Sequence, residues 1–550
     1  MKQRKLILTS ALFAAGALAL TACGGGSSSS SSSGSGSSGA KGGSVTIYNV
    51  KPQNPLIPTD TNEVGGSNVL DNLFTGLVRY DPTTAAPILS AAESITPSKK
   101  SEFWDIKLKP GQMFQDNTPV TASSFVDAWN WGAYAPNAQL NSSFFTPIKG
   151  YDDLNPADPD GDGPKTAPVP KVKTMSGLKV ISPTEFTIEF KTPQSFFRVE
   201  AGYAAFFPLP TSFYKDPAAF GKKPIGNGPF QLVSGDGSTG FVLKAWAGYQ
   251  GADKPSITQA TFKTYTSDTA AYADIQAGNL DFMDEVPPGD LVNDQFKKDM
   301  PGRFISKPVG LIGTLTMPSY DKDYQDPILH KAISMAIDRA TITKSVFNGS
   351  YIPATGWVSP VVDGYKAGAC GVNCDYNPTM AKQLFAQAKF KGPFTISYNG
   401  DRTGNKEAYE AICHNIQNNL GASCTAKPYV DFATFRAAVT SYKMTGMFRT
   451  AWQMDYPSIQ DYLEPLYVTN ASSNDGKYSN KTFDSLITKA DGQSGAAANA
   501  TYQQAEATLA TDMSIVPLWY ENQSAVWSSR VTNVKTTPFS TIDLTDIKVK

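Results

Sequence analysis

Apolar and polar residues alternate from Ser44 to Tyr48, with Val45 and Ile47 on one face, and this spacing predicts a strand. Asn54, Pro55 and Pro58 break it. Leu70, Leu73, Phe74 and Leu77 then recur at helical spacing, which predicts a helix over 69–77. Residues 104–108 alternate again and run into a Lys109-Pro110-Gly111 turn. Thr121 is placed to cap a helix reaching about Trp131, and 178–190 reads as a hairpin turning at Ser182, Pro183 and Thr184. Two longer helices follow. In 327–348 the residues Ile328, Ala332, Ile333, Ala336 and Ile337 form one stripe, closed by Gly349. In 408–420 the stripe is Ile412, Ile416 and Leu420, with Gly421 at the stop. Both stripes read as core. The pattern is α/β with mixed sheets, without an internal repeat or a regular βαβ series.

The first 43 residues do not follow that pattern. Lys2, Arg4 and Lys5 precede an apolar run from Leu6 to Leu20, too short for the ~20 residues that span a bilayer. Leu20-Thr21-Ala22-Cys23 follows and resembles a bacterial lipobox, in which the cysteine is acylated and becomes the mature N-terminus. Residues 24–39 are Gly and Ser alone, a tether without core-forming side chains. The expectation is a signal peptide at 1–22 and a lipid-anchored linker at 23–43, placing the protein outside the cytoplasmic membrane.

Composition narrows the chemistry. The chain of 550 residues carries 48 Lys and Arg against 49 Asp and Glu, a net charge of −1, so no basic field exists for nucleic acid. Without the three leader cations, 45 remain against 49 acids, a net −4. His330 and His414 are the only histidines, which excludes a multi-histidine metal site and leaves little for histidine acid–base catalysis. Besides Cys23 there are Cys370, Cys374, Cys413 and Cys424, an even set suited to an oxidising compartment. Three pairings are open. The local ones, Cys370–Cys374 and Cys413–Cys424, are expected, and zinc is disfavoured because the spacing is not CxxC.

Six blocks in order carry a resemblance. They are 103–111 with Phe114, Asp116 to Ala122 and Phe125; Ile225-Gly226-Asn227-Gly228-Pro229-Phe230; 274–282; 331–339; Ala451-Trp452-Gln453-Met454-Asp455-Tyr456-Pro457; and 515–520. Together they resemble the extracytoplasmic solute-binding proteins of the peptide/nickel type, the oligopeptide-binding lipoproteins of ABC importers, over residues 44–550. The resemblance implies a two-lobed clamp of three domains. The core domain of lobe I would be 44–86 with 205–306 and 512–550, its inserted domain 87–204, and lobe II 307–511. It implies that Asp455 anchors the peptide ammonium, that Arg449 balances charge in the cleft, and that Trp452 walls the site. Tyr456 belongs to the same block, and Tyr398 and Asn399 match a cleft-lining strand more weakly. Implied partners are a peptide and the membrane permease, for a monomer without cofactor. A binder of a metal chelate or oligosaccharide, and more remotely a secreted hydrolase, are the alternatives.

Some residues depart from the family pattern. Asn117 stands where glycine is usual, Ser123-Ser124 replace an acidic helix start, and Met454 replaces a small residue beside Asp455. Residues 470–500 give few signals. Asp158, Asp160 and Asp162 mimic the start of a calcium loop, but Val169 occupies the position of its bidentate glutamate, so an acidic surface loop is expected. Asp281, Asp284 and Glu285 could pass for paired catalytic acids, yet no sugar-binding signature accompanies them.

Overall fold

The computed structural model describes residues 42–157, 168–390 and 392–550. The leader, Cys23, most of the linker and the acidic loop at 158–163 lie outside the described residues.

Fifteen strands position the site. They are β1 (Ser44–Asn49), β2 (Ala92–Ser98), β3 (Phe103–Leu108), β4 (Leu178–Ser182), β5 (Glu185–Glu189), β6 (Phe230–Gly235), β7 (Gly240–Ala245) and β8 (Gln259–Thr264). After them come β9 (Phe282–Met283), β10 (Phe304–Thr316), β11 (Ile352–Pro353), β12 (Phe394–Asn399), β13 (Cys424–Tyr429), β14 (Met447–Gln453) and β15 (Ile515–Trp527). One sheet runs β13-β12-β14-β10-β15-β9-β1-β8-β7-β6, with β11 also on β15, and a separate four-stranded sheet runs β2-β3-β5-β4. Parallel and antiparallel pairs coexist in the large sheet. This is the mixed α/β architecture that the alternating segments predict, and the hairpin at 178–190 forms β4 and β5.

β10 and β15 tie the large sheet together. Phe304–Pro308 pairs with Val526–Asn522, and Ile312–Thr316 pairs with Tyr520–Ile515. Between Pro308 and Ile312 the register shifts. Buried side chains gather in two main clusters, one drawn mostly from residues 45–262 and 525–547, the other mostly from 312–520.

The helices show where periodicity misleads. The first, α1, spans Val64–Leu73, earlier than the spacing predicts. Glu63 caps it by accepting from the Gly65 and Gly66 amides, and those two glycines, poor helix formers, hide the start. It stops at Phe74 because Asn227 takes both the amide and the carbonyl of Thr75, each at 2.9 Å. α2 spans Ala122–Ala133, and Ser124 Oγ accepts from the Thr121 amide at 3.1 Å, the part an acid usually takes. The single helix expected over 327–348 is two, α3 (Pro327–Ala336) and α4 (Arg339–Phe347). Ile337 is extended, and Asp338 caps α4 by accepting from Thr341 at 3.0 Å. Of the stripe read as core, Ala332, Ile333 and Ala336 are buried on α3, Ile337 is buried at the break, and Ile328 is exposed. α5 (Asn405–Leu420) ends on left-handed Gly421, as its pattern predicts. Past α6 (Ile459–Tyr467), the region of few signals forms α7 (Lys481–Asp491) and α8 (Gly495–Asp512), the latter burying Ala498, Tyr502, Ala505 and Leu509 in the second core, a stripe whose two alanines give a weak apolar signal. Disulfides join Cys370 to Cys374 and Cys413 on α5 to Cys424 on β13.

The 225–230 block has a packing reason. A Cβ on Gly226 would lie 1.8 Å from the Leu73 carbonyl oxygen, so this loop closes against the end of α1 only with glycine there. Gly226→Ala is expected to lower stability by about 1–3 kcal/mol in a denaturant titration.

Candidate functional site

A cavity of about 390 Å³ opens between α1, β10 and β14. Its wall includes Asn68 and Asp71 of α1, Tyr80, Tyr203, Thr314 of β10, and the run from Arg449 to Asp455. β14 is laid against β10 in antiparallel register, Arg449 opposite Leu315 and Trp452 opposite Ile312. Thr450 Oγ1 lies 2.6 Å from the Thr314 hydroxyl and 2.7 Å from that of Thr316, which fixes the strand locally.

Immediately past β14, Asp455 is held by a residue that sequence reasoning missed. Asp461, in the first turn of α6, is fully buried. One of its oxygens accepts from the Trp452 indole at 3.1 Å and from the Asp455 amide at 3.0 Å. Among the described residues its other oxygen has no partner, and neither does buried Oδ2 of Asp455. The available signal was Ser458 followed three residues later by an acid, a helix-start pattern.

These carboxyls lack a compensating cation. Burial, then the charge of Asp461 and of Asp71, pushes Asp455 well above the usual carboxylate range, against the Tyr203 hydroxyl bond that lowers it. Burial pushes Asp461 up likewise, opposed by its hydrogen bonds from Trp452 and the backbone. Asp71 faces solvent inside the cavity while protein surrounds it, and burial lifts it to about 7. The buried oxygens of Asp455 and Asp461 are costly to charge unless something cationic enters.

Among the other charged residues of the wall is Arg449. It is buried, and among the described residues it forms no ion pair within 4 Å. Burial is the largest influence pushing its pKa down. Behind it a side cavity of about 10 Å³, room for one water, is shared with Arg402, Tyr409 and Glu521. Arg402 is already engaged, at 2.9 Å from Glu285 and 2.7 Å from Glu521. Arg436, also in the main wall, is held bidentately by Asp475 at 2.6 and 3.1 Å. Arg449 therefore keeps its donors for something else.

The structure brings Arg449, Trp452 and Asp455 to one cavity, with Met454 beside them. It does not bring the other three there. Tyr398 and Asn399 sit on β12, beyond β14 from β10. Tyr398 stacks on Tyr409 at 5.4 Å inside the second core, and Asn399 donates to Asp401 at 2.6 Å. The chain turns after Asp455, so Tyr456 enters the first core, with its hydroxyl on Gln460. Of the three decoy acids, Asp281 is structural, 3.0 Å from Arg530 and bonded by Ser528 at 2.7 Å. Among the described residues no acid, histidine and cysteine grouping suits a metal, and no helix is long and apolar enough to cross a membrane.

The family model for bacterial extracellular solute-binding proteins, family 5, matches residues 86–474. The chain belongs to that family. Among relatives of these family 5 proteins, the oligopeptide-binding protein OppA of Bacillus subtilis (strain 168) is 23% identical over 558 residues, 97% of each chain. The murein tripeptide binding protein MppA of Escherichia coli has the same fold, with a TM-score of 0.81 at 20% identity, covering 93% of this chain and 99% of that one. An unliganded open form of MppA aligns less well, at 0.64. OppA of Haemophilus influenzae, in complex with the peptide RPPGFSPFR, aligns at 0.80 with 20% identity, covering 92% and 99%. These relatives are solute-binding proteins and not enzymes, and family 5 members work outside the cytoplasm.

Proposed function

We propose that this chain is the substrate-binding lipoprotein of an ABC importer, which encloses oligopeptides between two lobes and delivers them to the membrane permease. The observation that carries the reading is Asp455 at the cavity wall, its amide bonded to fully buried Asp461, with an unpartnered oxygen on each carboxyl and no ion pair to either among the described residues. A peptide ammonium is the group such a site lacks, since a charge-assisted bond offsets burial of the carboxylate. Arg449 would take the opposite charge. It lies four residues before Gln453 on the same strand, about 13 Å at ~3.3 Å per residue, so the wall suits an extended zwitterion.

The lobes would be those the resemblance implies, 44–86 with 205–306 and 512–550 carrying the insert 87–204, facing 307–511. The two buried clusters and the separate sheet formed by β2 to β5 support that division. Closer similarity to the peptide complex of OppA than to open MppA supports reading the present arrangement as the closed one. Cys23 would carry the lipid and the Gly/Ser run would let the lobes stand off the membrane.

Mass spectrometry of ligand released from the purified protein tests this reading. The expected result is peptide, one per chain and uncleaved. A metal chelate or an oligosaccharide would replace the peptide reading, and turnover of added peptide would replace the binding one.

A further inference from the structure

A single ligand ammonium meets more carboxyls here than it can satisfy. Asp455 and Asp461 form one group, and Asp71 stands across the cavity wall near enough for its charge to act on Asp455, Tyr80 and Tyr203. Asp71 is placed there by the fold. Val69, Leu70 and Leu73 turn into the core, which leaves Ser67, Asn68, Asp71 and Asn72 on the cavity face of α1. The bonds from Asn227 to Thr75 and the close approach of Gly226 to Leu73 then fix the end of that helix.

Cations elsewhere in the wall do not reach Asp71. Arg79 is 3.9 Å from Asp253, Arg436 is bound by Asp475, and Arg449 belongs to the side cavity's rim. Among the described residues Asp71 forms no ion pair, and its side chain is exposed to the cavity. Asp455 lines the same cavity, with its Oδ2 buried and unpartnered among the described residues.

We infer that Asp71 is a specificity residue of this cavity, selecting peptides that carry a basic side chain next to the free amino terminus. The ammonium would meet Asp455, and the side-chain cation of the first or second residue would meet Asp71. The inference rests on the peptide reading above and deepens it. An uncharged side chain of equal length would leave Asp71 as it is, facing the cavity without a cation, so the two ligands differ in charge complementarity and little in shape.

Matched peptides of three to five residues test it, beginning with lysine or with norleucine and continuing in alanine, titrated calorimetrically into the mature protein at pH 7.5. The readout is the ratio of the two dissociation constants. The expected ratio favours lysine by about ten-fold or more, falls to within about two-fold in Asp71→Asn, and turns toward glutamate-first peptides in Asp71→Lys. A wild-type ratio near one, with both peptides bound, would overturn the role of Asp71 and leave the peptide reading standing. So would a lysine preference that survives both substitutions. If the wild type binds neither peptide, the peptide reading falls and this inference with it.

Discussion

Asp455→Ala is expected to weaken binding of peptides with a free amino terminus by about 100-fold, close to 3 kcal/mol. The ligand's charge would then sit in the cavity opposite a methyl group, with Asp461 buried outside the cavity lining and one of its oxygens taken by the Trp452 indole and the Asp455 amide. Acetylated peptides, which have no ammonium, should bind wild type and variant alike. The same substitution has a second, opposite consequence. It removes a buried acid that has Asp461 and Asp71 as like-charged neighbours, so the ligand-free variant should melt higher than wild type above pH 7. Calorimetric titration and thermal melts on one sample check both halves. Unchanged affinity for free-amine peptides would mean that the ammonium is held elsewhere.

The second large effect is on the ligand-free protein as a function of pH. Burial raises Asp71, Asp284, Glu63, Glu464 and Glu506 to about 7. Asp455, Asp461, Glu200 and Asp491 are raised well above their ordinary values. An acid with a raised folded pKa binds its proton more tightly folded than unfolded. Its contribution is therefore greatest below about pH 4 and is lost as pH climbs through 7. Exposed acids with lowered values, such as Asp81 and Asp274, act the other way but below pH 4, outside this window. The melting temperature without ligand should fall by at least about 3 °C between pH 5 and pH 7.5. Saturating peptide should shrink that fall, since an ammonium lowers the proton affinity of Asp455. A melting temperature that rises over this interval would contradict the picture.

Most of the fold was legible because it rests on local pattern. β1, β3, the β4–β5 hairpin, α2 and α5 each carry their own periodicity and end signals, and burial follows them. What was illegible depended on distant partners. The start of α1 is set by Glu63 and two glycines, and its end by Asn227, which is 152 residues away. The break between α3 and α4 rests on one extended residue that apolar spacing does not register. The site behaves the same way. Arg449, Trp452 and Asp455 were reachable because they share one short segment. Asp71 and Asp461 come from two other elements, and an acid that lines a cavity or lies buried near it looks like any other in a chain of 49.

The interruption in the β10–β15 ladder has a mechanical meaning. The backbone resists bending least where cross-strand bonds are already missing, and that place is the stretch between Pro308 and Ile312. Gly310, within it, accepts from the Met454 amide at 2.8 Å, one residue from Asp455. If the proposed lobes bend there, the proposed anchor Asp455 would be mounted almost on the pivot. Points near an axle travel little when the arms swing, so an arriving amine would meet Asp455 in nearly the same place whether the arms are apart or together. What the swing would supply is the distant part of the grip, and with it the power to hold one peptide longer than another.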